Sequence, residues 1–171
     1  MNIFVLSETP GEAAIQHCDK HVVKMVLEYA QLLSTAHRVL DGTNNILSDS
    51  RKDELLYRAT HMNHPCAKWV REDGYNYAWT WELLRSLCDE YYYRYGQHKK
   101  IDQKHKVERS GLLNELSHLP VNLDATSRTP FAQCMPDEYK DDDVVQAYKN
   151  YYLGEKVHIL KYTSRDKPEW I

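Results

Sequence analysis

Glycine is scarce in this chain of 171 residues, six in all, and so are proline, six, and phenylalanine, two. The glycines at 11, 42, 74, 96, 111 and 154 complete no G-x-G-x-x-G, no G-x-x-x-x-G-K-[ST] and no G-x-S-x-G. Dinucleotide fingerprints, phosphate loops and the serine-hydrolase elbow are thereby excluded as motifs. None of the four cysteines, Cys18, Cys66, Cys88 and Cys134, lies in a C-x-x-C pair, so they read as reduced core thiols of a cytoplasmic protein rather than a disulfide frame. No apolar run approaches a transmembrane length, and no membrane association is expected. The opening Met1 to Ser7 is too short for a signal peptide and lacks a basic lead. A cationic excess is also missing: net charge is −3 and the pI about 6.3, which offers no general electrostatic grip on nucleic acid. A local one remains in the basic stretch from Arg94 to Arg109.

What is present is a single-domain length, 1–171, with enough apolar residues for a core, and no repeats or low-complexity tracts. Thirteen tyrosines and four tryptophans favour half-wet seams or clefts, because their rings carry a polar edge. Thr9 to Leu40 organises the rest and reads as one long helix, long enough for a small domain that a kink near Gly11 to His17 is expected. Thr9 and Glu12 form a T-x-x-E capping box, Pro10 takes the first position, and Gly42 supplies a left-handed end. At about 100° per residue, Cys18, Val22, Met25, Val26, Tyr29, Leu32, Leu33, Ala36 and Leu40 share one apolar face, and Val23, Leu27 and Ala30 form a second strip. Between them runs a thin polar line, His17, His21, Lys24, Glu28, Gln31 and Thr35. Its narrowness suggests a pocket wall, with Lys24 pairing Glu28 and histidines titrating near neutrality; the alternative is a solvated face with one weak ion pair.

Around this helix the remaining signals predict a mostly α, compact bundle of five or six helices. Asn2 to Leu6 is either a short strand or a buried extended lead-in. Further helices are expected over Asp53 to Thr60, from Pro65 to near Gly74, from Tyr75 to Tyr95, through Leu112 to Leu119, and from Asp141-Asp142-Asp143 to Gly154. Val121 to Lys140 is a long loop of the kind that serves as a lid.

Three other constellations carry possible chemistry. In His61-Met62-Asn63-His64-Pro65-Cys66, Asn63 and His64 stand beside free backbone N–H groups at a helix start, which suits an anion or a simple cap. Arg128, among Ser127, Thr129 and Pro130, suits closure over a phosphate or pairing with the acidic cluster that follows. His17 and His21 at i,i+4, joined by His37, His61, His64 or Cys66, offer a zinc set, but helical H-x-x-x-H arises by chance in a chain with nine histidines, and H-E-x-x-H is absent. No metal and no other cofactor is therefore expected.

The order of motifs is an opening M-N-x-F, then K-x-x-x-E (Lys24, Glu28), N-H-P-x-x-x-W (Asn63, His64, Pro65, Trp69) and E-Y-x-x-R-Y-G (Glu90, Tyr91, Arg94, Tyr95, Gly96). Over roughly residues 1–100 it resembles a family of uncharacterised phage-encoded proteins, and more distantly the pyrimidine-dimer DNA glycosylase (endonuclease V) superfamily. That resemblance implies a compact α-fold in which an N-terminal α-amine attacks the sugar C1′, assisted by a glutamate on the first helix and nearby arginines. Here the amine would be that of Met1, or of Asn2 after Met1 removal, which a large second residue disfavours. Glu28 is the only carboxylate on the polar line and the best match to the helix glutamate; His17, His21 and Lys24 stand where arginines are expected. The implied catalytic set is Glu28, Lys24, His21 and His17. The implied substrate-binding set is Asn63, His64, Trp69, Arg94 and Arg128, acting on a nucleobase, nucleotide or DNA in the cytoplasm of a phage-infected bacterium. The alternative is a non-catalytic accessory protein that binds a nucleotide or a host protein. Oligomeric state is not legible.

Overall fold

A computed structural model describes residues 1–96 and 103–171. Part of the basic stretch, 97–102, lies outside the described residues. The chain is mostly helical. The first predicted helix is two: α1 (Pro10–Gln16) and α2 (Asp19–Leu40), with His17 and Cys18 extended between them at ψ 134 and 161°. The reason for the break is Asp19. Its amide donates to Lys161 O (2.8 Å), and its carboxylate accepts from the Thr163 amide and hydroxyl and from Arg94. These bonds tie the α2 start to the C-terminal segment and replace helix continuation.

The helix ends also depart from expectation. Thr9 makes no side-chain cap; Glu12 Oε2 accepts from Ser7 Oγ (2.7 Å) instead. Past α2, the left-handed residues are Asn44 and Asn45, not Gly42. Gly42 serves by lacking a Cβ, which would sit 2.5 Å from Arg38 O. The fully buried Arg38 guanidinium then gathers the carbonyls of Asn45, Asp53, Leu56 and Tyr57 and the Asp53 carboxylate, folding the polar loop and α3 (Ser50–Leu55) against α2.

α4 (Pro65–Val70) begins at the expected Pro65, capped by His64. α5 (Gly74–Tyr91) runs on into a π-helical turn, Tyr92–Gly96. Asp73 caps α5 and with its other oxygen accepts from Thr126 and Ser127, so one carboxylate fixes both a helix start and the long loop. The helix predicted through Leu119 is two short turns, α6 (Lys106–Arg109) and α7 (Leu112–Glu115). α8 (Val144–Glu155) is capped by Asp143 and runs through Gly154.

α5 packs across α1 and α2, and the buried apolar side chains form one continuous cluster from Ile3 to Tyr152. Ile3 to Leu6 is buried irregular chain, turned where the Leu6 amide donates to Phe4 O (3.1 Å), and it has no strand partner among the described residues. Of the second apolar strip on α2, Ala30 is buried while Val23 and Leu27 are exposed. Among the described residues no helix is long and apolar enough to cross a membrane.

Candidate functional site

The irregular segment ahead of α1 delivers the chain terminus to the side of α2. Phe4 is held there: its amide donates to Tyr29 Oη (3.2 Å), and its ring stacks on His21 (4.3 Å between centroids) and meets Tyr148 and Tyr152 edge-on. Asn2 Nδ2 donates to Cys134 O (2.7 Å), and its Oδ1 lies 2.9 Å from Tyr148 Oη. The Met1 α-amine consequently stands 3.6 Å from Glu28 Oε2, while Lys24 Nζ is 3.1 Å from Glu28 Oε1. The Glu28 side chain is 14% exposed, against 66% for Lys24, so the carboxylate sits deeper than the lysine; Met1 buries its side chain and is half-buried as a residue, which leaves its exposed part on the backbone that carries the amine.

These groups line a pocket of about 300 Å³ with Asn2, Phe4, His21, Met25, His64, Cys134, Tyr151 and Lys156. Its charged members are the amine, Lys24 and Lys156 against the single carboxylate of Glu28, a cationic patch on an acidic chain. Lys156 Nζ sits over the Tyr151 ring at 4.6 Å, which leaves its charge at the rim. Larger concavities of about 410 and 560 Å³ between α3 and the α6–α7 turns, and of about 450 and 390 Å³ beside Lys140 and beside the Asp41–Ser48 loop, bring no histidine, no cysteine and no α-amine. The 300 Å³ pocket is the one with convergent chemistry.

The polar line on α2 thus divides. Its middle, His21, Lys24 and Glu28, is pocket wall. Its start and end are core: His17 is wholly buried, and Thr35 is buried against Thr60. His17 Nδ1 lies 2.6 Å from Ala13 O, an acceptor, so this nitrogen carries the proton and Nε2 accepts from Tyr29 Oη at 3.0 Å. The histidines do not titrate near neutrality. Burial holds His17 down to about 4, and burial, with His17 and the two lysines nearby, holds His21 down to about 3. His21 Nδ1 pairs with Tyr152 Oη at 2.5 Å; burial pushes the Tyr152 phenol well up, so the phenol keeps its hydrogen, and the tautomer of the neutral imidazole sets which partner donates.

The expected substrate-binding residues scatter. His64 reaches the pocket. Its Nδ1 caps α4 by accepting from the Cys66 amide, and burial, followed by the α-amine, lowers its basicity. Asn63 is exposed on the preceding turn and outside the lining. Trp69 is core: Nε1 donates to Thr129 O, and its ring packs on Phe131 and Trp79. Arg94 is buried in a network with Glu90, Asp19 and Ile15 O, with Arg165 on the far side of Glu90. Arg128 pairs with Glu8 at 2.8 Å over the Phe131 ring.

Residues not singled out beforehand complete the pocket: Phe4, Tyr151 and Lys156, and Cys134 from the long loop. The Cys66 thiol donates to Cys134 Sγ at 3.3 Å, which pulls Cys134 below and pushes Cys66 above the usual thiol range. No local spacing could reveal a contact across 68 residues. Comparisons with family models, with curated proteins and with solved structures return no match to this chain, so its functional reading rests on this geometry.

Proposed function

We propose that this protein is a glycosylase/lyase-like enzyme that uses the Met1 α-amine as nucleophile on the C1′ carbon of a deoxyribose, in DNA or a nucleotide. The observation that carries the reading is the α-amine 3.6 Å from Glu28 Oε2 inside a pocket whose other charges are cationic. A carboxylate at that distance can take the proton the amine must lose before it attacks. On an abasic aldehyde the nitrogen lone pair forms the N–C1′ bond as the C=O π bond breaks, and the oxygen takes one proton to become a hydroxyl; the nitrogen then gives up its two protons and forms the C=N bond as the hydroxyl takes a second proton and leaves as water. Lys24 is the proton donor at hand for the departing oxygen. Lys24 and Lys156 supply the positive field a sugar phosphate needs, at a place where the chain as a whole does not.

Borohydride trapping on an oligonucleotide with one abasic site tests this, with the protein's amino terminus read by intact mass. A covalent adduct mapped to Met1 is expected, about 10²-fold slower in Glu28→Gln. No adduct, or an adduct that survives a two-residue N-terminal extension, refutes it. If nucleotides raise the melting temperature equally in wild type and Glu28→Gln with no adduct in either, the pocket binds nucleotides without chemistry.

A further inference from the structure

One cluster on the wall of the same pocket is left unused by that reading. A ring nitrogen of His64, Cys66 Sγ and Cys134 Sγ all lie within 4.8 Å of one another. The two sulfurs are 3.3 Å apart. We propose that His64, Cys66 and Cys134 bind one zinc(II) ion, with a fourth position turned toward the pocket.

Four observations support it. The spacing is close to what the metal needs: tetrahedral zinc with bonds of about 2.3 Å to sulfur and 2.0 Å to nitrogen holds its ligands about 3.5–3.8 Å apart. Separations of 3.3 Å up to 4.8 Å reach that range by small side-chain rotations. The donor set, one imidazole and two thiolates, is the soft mixed set that selects zinc over magnesium or calcium.

The ligands are also held from behind. His64 and Cys66 flank Pro65 at the start of α4, which sets imidazole and thiol side by side; the bond that His64 Nδ1 accepts from the Cys66 amide gives way when the ring offers its lone pair to zinc. Cys134 is fixed by its amide donating to Tyr148 Oη (3.4 Å) and by its carbonyl accepting from Asn2 Nδ2 (2.7 Å). Such supporting bonds orient ligands before the ion arrives.

Finally, the site has a way in. His64 and Cys134 both line the pocket, and Cys134 is only partly buried. Cys18 and Cys88 are wholly buried, as Cys66 is; what sets Cys66 apart is the partly buried Cys134 sulfur 3.3 Å away on the pocket wall. Both site thiols bind as thiolates, so two protons leave per ion. Three protein ligands with an open fourth position is the arrangement of a reactive rather than a structural zinc. The site does not rest on the imine reading, since its ligands exclude the Met1 amine and Glu28.

The test uses the reduced full chain, dialysed against zinc and then against buffer. About one zinc per chain is expected by elemental analysis. Cobalt(II) in its place is expected to give the intense ultraviolet thiolate-to-metal band and the visible bands of a tetrahedral site. Cys134→Ser and His64→Gln are expected to weaken binding at least tenfold, with Cys88→Ser unchanged. Should a variant fail to fold, alkylation of the wild type decides: zinc shields Cys66 and Cys134 in peptide maps and leaves the labelling of Cys18 and Cys88 as it was. Less than one-tenth of an equivalent of metal, a cobalt spectrum without the thiolate band, or undiminished binding in Cys134→Ser overturns the proposal. A Cys66–Cys134 disulfide in anaerobically purified protein overturns it too.

Discussion

Acid should unfold this protein well before its carboxylates titrate, because three imidazoles are buried neutral. Burial holds His17 and His37 down to about 4 and His21 to about 3, whereas the unfolded chain protonates each near 6.5. Between those limits the unfolded state binds protons that the folded state refuses. The stability they represent is intact above pH 6.5 and is lost as pH falls toward 4. Going from pH 7 to 5 costs about 2 kcal/mol per histidine, from the ratio of the two binding polynomials.

The bonding pattern explains the refusal. A proton on His17 Nε2 would meet Tyr29 Oη, which already accepts from the Phe4 amide, and the phenol hydrogen would lose its acceptor. His37 is the milder case. Tyr77 donates to Leu116 O and so accepts from the His37 Nε2–H, while His37 Nδ1 faces Asp41 Oδ2 at 3.6 Å, which partly compensates a proton there. The three together then cost about 4–6 kcal/mol, comparable with the whole stability of about 5–15 kcal/mol for an ordinary domain. Urea melts followed by tryptophan fluorescence at pH 7, 6 and 5 measure this. A His17→Gln/His21→Gln double variant should flatten the pH dependence by about 4 kcal/mol, whatever its stability at pH 7. Equal stability at pH 7 and 5, or an unflattened slope in the double variant, refutes the reasoning.

Other perturbations read the packing. Arg94→Met leaves the buried Glu90 and Asp19 carboxylates short of a partner and should destabilise by about 3 kcal/mol or more in thermal melts, with Arg165 retaining part of the network. Gly74→Ala sets a methyl 2.6 Å from the Ala125 Cβ and 3.1 Å from its Cα; since Ala125 belongs to the loop pinned by Asp73, about 1–3 kcal/mol should be lost, visible as a lower urea midpoint. Asp73→Asn should loosen that same loop, and limited proteolysis should then cut near Thr126 and Ser127 sooner than in the wild type. For the wild type, hydrogen bonds from Thr126, Tyr75 and Ser127 hold the Asp73 carboxyl down to about 2, so this contribution is present above pH 3.8 and fades only as pH drops toward 2.

Much of the helical layout follows from periodicity and punctuation. Val22, Met25, Val26, Tyr29, Leu32 and Leu33 are all buried as their spacing requires, Pro65 starts a helix, and Asp143 caps one. What escaped is long-range by nature. The kink expected near Gly11 to His17 is a full break at His17–Cys18, held by bonds from Asp19 to Lys161 and Thr163, more than 140 residues away, which no local signal marks. A narrow polar line is a sound sign of a wall, yet it does not say whether the wall faces a cavity or the interior. For His21, Lys24 and Glu28 it faces the pocket; for His17 it faces Tyr29. Arg94 reads as a ligand group through its place in E-Y-x-x-R-Y-G and at the head of the basic stretch, and only the placement of Glu90, Asp19 and Ile15 O accounts for its burial. Cys134 entered the pocket through a loop that carries no periodicity at all.

The threading of residues 2–6 also governs the order of assembly. Asn2 is joined to Cys134 and Tyr148, Phe4 to Tyr148 and Tyr152, and Asp19 to Thr163. A nascent chain therefore carries Phe4 without its Tyr148 and Tyr152 cover until α8 has been made, and a truncation ahead of Asp143 never supplies it. Closing so long a loop makes this a late and slow event in folding. The pocket comes into being only then: the segment made ahead of every helix is among the last to find its place, and any chemistry waits for it.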